Sequence, residues 1–489
     1  MHYSLPQWLG QSNCTRDALS HEHASALNRD QRAAVKKVVT AQDYALLQGM
    51  PGTGKTSTIC FVVRLLIARG ASVLVSSYTH SAVDNLLLKL RAGGVPCLRV
   101  GNAASVHPGI RDCCLDDSQG REETVESYAK KVDEARVVGA TCLSMKHAMF
   151  SRRVFDYCIV DEAGQITQPV ILGTLRCAKV FVLVGDHQQL PPLVASSDAQ
   201  AAGMSVSLFK RLSEAQPEAL QHLRYQYRMC SDIMQLSNTL VYAGQLKCGN
   251  SQVAKRTLML PGFYQLLAPD WVKQALDPAK KVVFIDTDRA VQSQPWVETC
   301  SSTTGTSSRR LVNYVECGVV VGCLRGMEAA GAVLSELGVI CPYRSQLHLL
   351  TTKLGETYPD VEMNTIDKYQ GRDKDAIIIS FVRSNARGNT GELLKDLRRL
   401  NVALSRPKSK LILVGSSGTL RQCSTMVKLM DILTKNGWIQ QLPQGAHECY
   451  LSQIQSQTQA SQAQAAEPHP TASKAILPPA LPSQRKGGH

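Results

Sequence analysis

Residues 44–56 read Tyr44-Ala-Leu-Leu-Gln-Gly49-Met50-Pro51-Gly52-Thr53-Gly54-Lys55-Thr56: an apolar run, a glycine loop and the start of a helical pattern. The last eight fit G-x-x-x-x-G-K-[ST] between a strand and a helix, the context in which this spacing makes a phosphate loop. The glycines let the backbone curl so that successive N–H groups face phosphate oxygens, and the helix N-terminus adds partial positive charge. Lys55 then reaches the β- and γ-phosphates, and the Thr56 hydroxyl is placed to ligate Mg²⁺.

Working outward, apolar runs of strand length recur at 72–76, 136–139, 157–160 and 180–184, and again at 281–285, 339–341, 376–381 and 411–414. Runs without polar alternation read as parallel strands covered on both faces. Helical patterns such as 56–68 and 81–90 lie between them, which predicts a doubly wound α/β architecture. Two such sets predict two domains with a cleft between them. We expect a lead (1–26), a first domain (27–249, with a small insert at 93–134), a connector (250–280), a second domain (281–445) and a disordered Gln/Ser/Pro-rich tail (446–489). The Ser/Thr-rich stretch 292–310 reads as a surface loop.

Two further strand ends carry chemistry. Asp161-Glu162 closes the apolar run Phe155–Val160, where adjacent carboxylates repel unless a cation compensates. Asp161 suits Mg²⁺ and Glu162 suits orienting or deprotonating a water. Gly185-Asp186-His187-Gln188-Gln189 follows another strand, and Gln189 could sense a γ-phosphate by hydrogen bonding while staying neutral. Upstream, the Gln31 amide carries both a donor and an acceptor, which suits an adenine edge; the plainer reading is a helix start capped by Asn28.

Composition bounds the partners. The 489 residues carry 54 Lys and Arg against 40 Asp and Glu, a net charge of +14, which favours a polyanion. No apolar run reaches the ~18 residues of a membrane span, so no membrane partner is expected. The 16 cysteines include no C-x-x-C and no Cys/His pairing at zinc spacing, so they read as reduced thiols rather than a disulfide framework, a zinc site or an iron–sulfur site.

With Gln226-Tyr227-Arg228-Met229, then Asn364–Asp375 (Asn-Thr-Ile-Asp-Lys-Tyr-Gln370-Gly371-Arg-Asp373-Lys-Asp) and Leu400-Asn401-Val-Ala-Leu-Ser405-Arg406, these motifs stand in the order of a superfamily 1B helicase. Residues 25–440 resemble that core, and within it the helicase half of the eukaryotic DNA replication ATP-dependent helicase/nucleases. The resemblance implies two tandem RecA-like, doubly wound parallel-sheet domains with ATP in the cleft. It places Gln31, Lys55, Thr56, Asp161, Glu162 and Gln189 on the first domain, and makes Arg228 and Arg406 arginine fingers toward the γ-phosphate. It stacks Tyr227 on adenine and sets Gly371 and Asp373 beside the nucleotide, Asp373 standing where family members usually have Glu. Tyr78, Thr79, His80 and Asn85 in the first domain, and Tyr343, Arg344 and Thr365 in the second, are the implied nucleic-acid contacts, made chiefly to phosphate and sugar.

The same resemblance implies 5′→3′ movement on single-stranded DNA, action on forked or flapped DNA, replication and repair partners such as a single-strand-binding protein, and residence in the nucleus or the mitochondrion. Family members carry a nuclease domain with an iron–sulfur cluster, and a small β-barrel, ahead of the core. Only 26 residues precede Leu27, so neither nuclease activity nor a cluster is expected in this chain, which reads as a fragment, an alternative product or an incomplete gene model. Two alternatives stay open on sequence: an RNA helicase of the same superfamily, and a non-catalytic, ATP-gated nucleic-acid-binding remnant.

Overall fold

A computed structural model describes residues 26–115, 125–291, 298–301 and 310–450. The lead up to residue 25 and the tail from residue 451 lie outside the described residues. Seven strands form the first sheet: β1 (Tyr44–Gly49), β2 (Val73–Ser77), β3 (Leu98–Val100), β4 (Val137–Thr141), β5 (Phe155–Val160), β6 (Ala178–Gly185) and β7 (Leu220–Leu223). Their order is β3-β4-β2-β5-β6-β1-β7, with every neighbouring pair parallel. After the short parallel pair β8 (Tyr225–Gln226) and β9 (Lys247–Cys248), the second sheet is built from β10 (Val282–Asp286), β13 (Leu337–Cys341), β14 (Glu362–Thr365), β15 (Lys374–Ser380), β16 (Pro407–Gly415) and β17 (Ile439–Gln441). It too is wholly parallel, in the order β14-β13-β15-β16-β10-β17. The central strands are buried at nearly every residue, as the unbroken apolar runs predict.

Four departures from the sequence expectations matter. The insert at 93–134 supplies β3, the edge of the first sheet, so part of it belongs to that domain's core. Within the expected loop at 292–310, the described residues form strand β11 (Glu298–Ser301) and the start of β12 (Arg310–Asn313), paired antiparallel, while 292–297 and 302–309 lie outside the described residues. Residues 446–450, assigned to the tail, are packed: His447 is buried and Tyr450 meets Trp271 edge-on with ring centroids 6.0 Å apart. The fourth concerns the boundary. Helix Ser231–Leu240 follows Arg228, and Met229, Cys230, Ile233 and Leu236 lie in one cluster with Phe284 and Ile377 of the second sheet and Leu404 of the helix Leu397–Leu404 that packs on it. Leu258, Leu260 and Trp271 of the connector join the core on that sheet's other face. By packing, the second body therefore begins at Met229, because the apolar faces from there onward find their partners on the second sheet.

A buried polar network braces the second sheet. Glu316 accepts from the Asn313 amide (3.2 Å), the Ser380 hydroxyl (2.6 Å) and the Val382 N–H (2.8 Å). Val382 sits at φ 72°, a conformation β-branched residues avoid, and the bond to Glu316 helps hold it there. Burial pushes the Glu316 carboxyl up to about 8, against the pull of its donors. The native state thus keeps a proton that the unfolded chain loses near pH 4.5. This group's contribution to stability is full below that value and is lost as pH rises toward about 8. Glu316→Gln is expected to flatten that decline, read as urea midpoints across roughly pH 5 to 8.5; an unchanged slope would count against a protonated Glu316.

Candidate active site

Strands β5, β6 and β1 lie side by side in the first sheet, so the residues after each one meet at the carboxyl ends. That is where ligands bind in open α/β sheets. After β1 the chain makes the phosphate loop, with Gly52 and Gly54 at φ 72° and 79°. A side chain at Gly52 would stand 2.7 Å from the Arg228 Cβ, so the glycine also admits the close pass of the Tyr227–Arg228 segment, whose Tyr227 N–H binds the Gly52 carbonyl at 2.8 Å. The helix Lys55–Ala68 starts at once, and Thr53, Gly54, Lys55 and Thr56 line a cleft of about 340 Å³ with Met50, Pro51 and Gly52. Lys55 Nζ lies 3.1 Å from the Gly49 carbonyl and 3.8 Å from Glu162 Oε1.

After β5, Asp161 is buried and Glu162 lines the cleft. Glu162 has φ 54°, rare for a non-glycine residue, and is tied by its N–H to Asp161 Oδ1 (2.9 Å) and by its carboxylate to Gln165 Nε2 (3.0 Å). Such strain persists where surrounding structure over-determines it, often at functional sites. Burial and the Glu162 charge both raise the Asp161 carboxyl well above the usual carboxylate range. After β6, Gln189 is buried, its Nε2 bound to Asp186 Oδ2 at 2.8 Å and its Oε1 facing Arg406.

The opposing wall comes from the second body. Arg406 is almost fully buried, and its guanidinium meets only neutral acceptors: the Val402 carbonyl (2.9 Å), Ser405 Oγ (2.9 Å), Gln189 Oε1 (3.5 Å) and the Arg372 carbonyl (3.5 Å). Burial, and then the charge of Arg228, bring its pKa down to about 9. Arg228 stands between the bodies, paired with Asp373 at 2.9 Å and with the Ser405 carbonyl at 3.1 Å. Burial raises the Asp373 carboxyl, but Arg228 and Lys408 outweigh it and hold it below its ordinary value. Gly371 lines the same cleft, and the neighbouring Gln370 has a buried amide without a partner at either end. Tyr227 lines the cleft with its hydroxyl 3.0 Å from Asn28 Nδ2.

Gln31 takes part in the helix start that Asn28 caps: its Oε1 accepts from the Asn28 N–H (3.0 Å) and its Nε2 reaches the Thr53 carbonyl (3.4 Å), which leaves a second donor and a second acceptor position on the amide. The sequence did not point to Lys89, Arg256 and Lys408, which also line the cleft. With Lys55, Arg228 and Arg406 they make six cationic side chains against Glu162 and Asp373, a balance that suits a polyphosphate.

The candidate nucleic-acid residues lie at other strand ends. Tyr78 (45% exposed) and Thr79 follow β2, and Thr79 caps the helix His80–Ala92 that carries the exposed Asn85. His80 Nδ1 lies 3.1 Å from the guanidinium of the buried Arg99, itself paired with Asp84 at 2.8 Å. The guanidinium can only donate, so His80 accepts at Nδ1 and carries its proton at Nε2. In the second body Tyr343 and Arg344 follow β13, and Thr365 ends the adjacent β14. Tyr343 is half-buried and donates to the Thr390 carbonyl (3.2 Å), while Arg344 is exposed. Gln346 ties this loop to the buried Asn313 at 2.9 and 3.0 Å. Among the described residues no cluster of three metal-ligating side chains occurs, and no helix is long and apolar enough to cross a membrane.

Residues 26–132 and 117–197 match one AAA-domain family, and residues 204–418 match a second. The DNA replication ATP-dependent helicase/nuclease DNA2 of Mus musculus is 47% identical over 436 residues, covering 86% of this chain and 40% of that protein. The Xenopus laevis protein of the same name is 45% identical (86% of this chain, 40% of that one), and the Arabidopsis thaliana helicase/nuclease is also 45% identical (86% and 30%). The chain thus spans 30–40% of the length of these relatives. Over 86% of its own length, this chain corresponds to the helicase region of the DNA replication ATP-dependent helicase/nucleases.

Proposed function

We propose that this chain is an ATP-driven DNA helicase and translocase that moves 5′→3′ on single-stranded DNA. One observation carries the reading: Lys55, Glu162 and Gln189 of the first body face Arg406 of the second across one cleft, with Arg228 between them. In this reading Lys55 and the loop N–H groups hold the β- and γ-phosphates. Glu162, held by Gln165, takes the proton of the attacking water. Arg406 and Arg228 stabilise the charge that builds on the transferred phosphoryl oxygens.

Mg²⁺ fits the donor set. The Thr56 hydroxyl is in the cleft, and Asp161 is a buried carboxylate whose raised pKa marks a negative charge short of compensation. Bound there, the ion would neutralise phosphate charge. Closure and release through Arg406 and Arg228 would shift the Tyr78–Asn85 surface against the Tyr343–Thr365 surface. Forked or flapped DNA as substrate, a single-strand-binding protein as partner, and the nucleus, with the mitochondrion as a second site, follow from the same family reading.

Strand displacement tests it. ATP-dependent unwinding of a DNA duplex with a 5′ tail, and not of the same duplex with a 3′ tail, is the expected result. Unwinding of RNA duplexes alone, or from 3′ tails alone, would overturn it.

A further inference from the structure

The two bodies are latched at a strip of four residues, Asp186–Gln189. Asp186 is buried, and its carboxylate gathers four donors: Gln48 Nε2 (3.3 Å) and the Gln188 N–H (3.1 Å) on Oδ1, then Gln189 Nε2 (2.8 Å) and the Tyr242 hydroxyl (2.6 Å) on Oδ2. Tyr242 belongs by packing to the second body. Asn401, on the helix Leu397–Leu404, donates to the Tyr242 oxygen (2.8 Å) and to the Gln188 carbonyl (3.0 Å), and its own Oδ1 is buried without a partner. The same helix leads into Arg406, which closes the ring on Gln189 Oε1. Burial and the neighbouring Asp186 charge keep the Tyr242 hydroxyl protonated well above its ordinary range, so it stays a donor.

We infer that Tyr242 and Asn401 are positioning residues that transmit the placement of the second body to the Gln189 amide. This rests on the ATPase reading above. Neither side chain lines the nucleotide cleft, so neither is a catalytic residue. Their effect runs through Asp186. While Tyr242 and Gln189 share Oδ2, the Gln189 amide is held with its nitrogen inward and its oxygen toward Arg406 and the cleft. When the second body moves, Asn401 and Tyr242 move with it. The Asp186 oxygen then has fewer donors, and the Gln189 amide is held differently. The helix that carries Asn401 and leads into Arg406 is thereby linked to the Gln189 amide through three short hydrogen bonds. The cavity of about 250 Å³ beside Gln48, Gln188 and Tyr242 gives the ring room to rearrange.

The test compares wild type, Tyr242→Phe, Asn401→Ala and the double variant. It reads ATP turnover at saturating single-stranded DNA, KM for ATP, and equilibrium binding of a fluorescent non-hydrolysable ATP analogue. DNA-stimulated kcat is expected to fall at least about tenfold in each single variant, with the double no worse than the weaker single, because residues acting as one unit are not additive. KM, analogue affinity and binding stoichiometry are expected to stay within about twofold, which a loss of folded protein would not allow. Should Tyr242→Phe fail to fold, Asn401→Ala carries the same expectation alone. Stimulated turnover within about twofold of wild type in the folded variants, or losses that multiply in the double, would overturn the relay and leave the ATPase reading standing. A wild-type chain that hydrolyses no ATP would overturn both.

Discussion

Arg406→Ala is expected to lower kcat for ATP by about 10³–10⁵-fold, the range over which arginine fingers act, while analogue binding changes little. The reason lies in how Arg406 is held. Its guanidinium is buried, faces only neutral oxygens, and has its pKa brought down by burial and by Arg228. A buried cation without a carboxylate partner is costly, so the site gains most when an anion enters beside it. Negative charge builds on the transferred phosphoryl group in the transition state, which is where the stabilisation appears as rate rather than affinity. Arg406→Lys is expected to recover little, because the Val402 contact uses Nε, the Arg372 contact one terminal nitrogen and the Ser405 and Gln189 contacts the other, a planar fork that an ammonium does not reproduce. Single-turnover kinetics beside equilibrium binding would check this, and an Arg406→Ala chain turning over within about tenfold of wild type would remove the finger assignment.

Glu162→Gln is expected to lower kcat by about 10²–10⁴-fold with nucleotide binding intact, the usual range for a lost general base. The substitution keeps the size of the side chain and an oxygen able to accept from Gln165 Nε2. What it removes is the carboxylate that accepts a proton, and with it the charge that raises Asp161. The left-handed backbone at residue 162 is unchanged by this substitution, so a loss of rate can be assigned to the side chain rather than to the turn. Retention of wild-type kcat would mean that water is activated elsewhere in the cleft.

Much of the fold was legible because the central strands carry apolar runs without polar alternation. β2, β4 and β10 are buried end to end and β1 at all but Tyr44, and such runs have one reading between helices. The edges were not. Leu220–Leu223, Glu362–Thr365 and Ile439–Gln441 are short, mostly half-buried and mixed in polarity, so nothing in their composition separates them from loops. Arg99 is fully buried in a three-residue strand, where a lone arginine would ordinarily read as surface. Helix Ser231–Leu240 shows its apolar face in sequence, yet periodicity cannot say which of two sheets that face will meet.

The nucleotide cleft divided in the same way. Its first-body residues sit in motifs at adjacent strand ends, and the phosphate loop carries its own local context. Gln31 had two readings on sequence, and the capping box is present in the structure, because an amide that suits an adenine edge equally suits a capping box. The ring through Asp186, Tyr242 and Asn401 joins residues 56 and 159 positions apart, a juxtaposition that exists only once both bodies have folded.

The most direct measurement is ATP hydrolysis by this chain alone, with single-stranded DNA and with matched RNA, alongside Lys55→Ala. The account predicts turnover that DNA stimulates strongly and that Lys55→Ala abolishes. Stimulation by RNA but not DNA, or turnover that persists in Lys55→Ala, would contradict it.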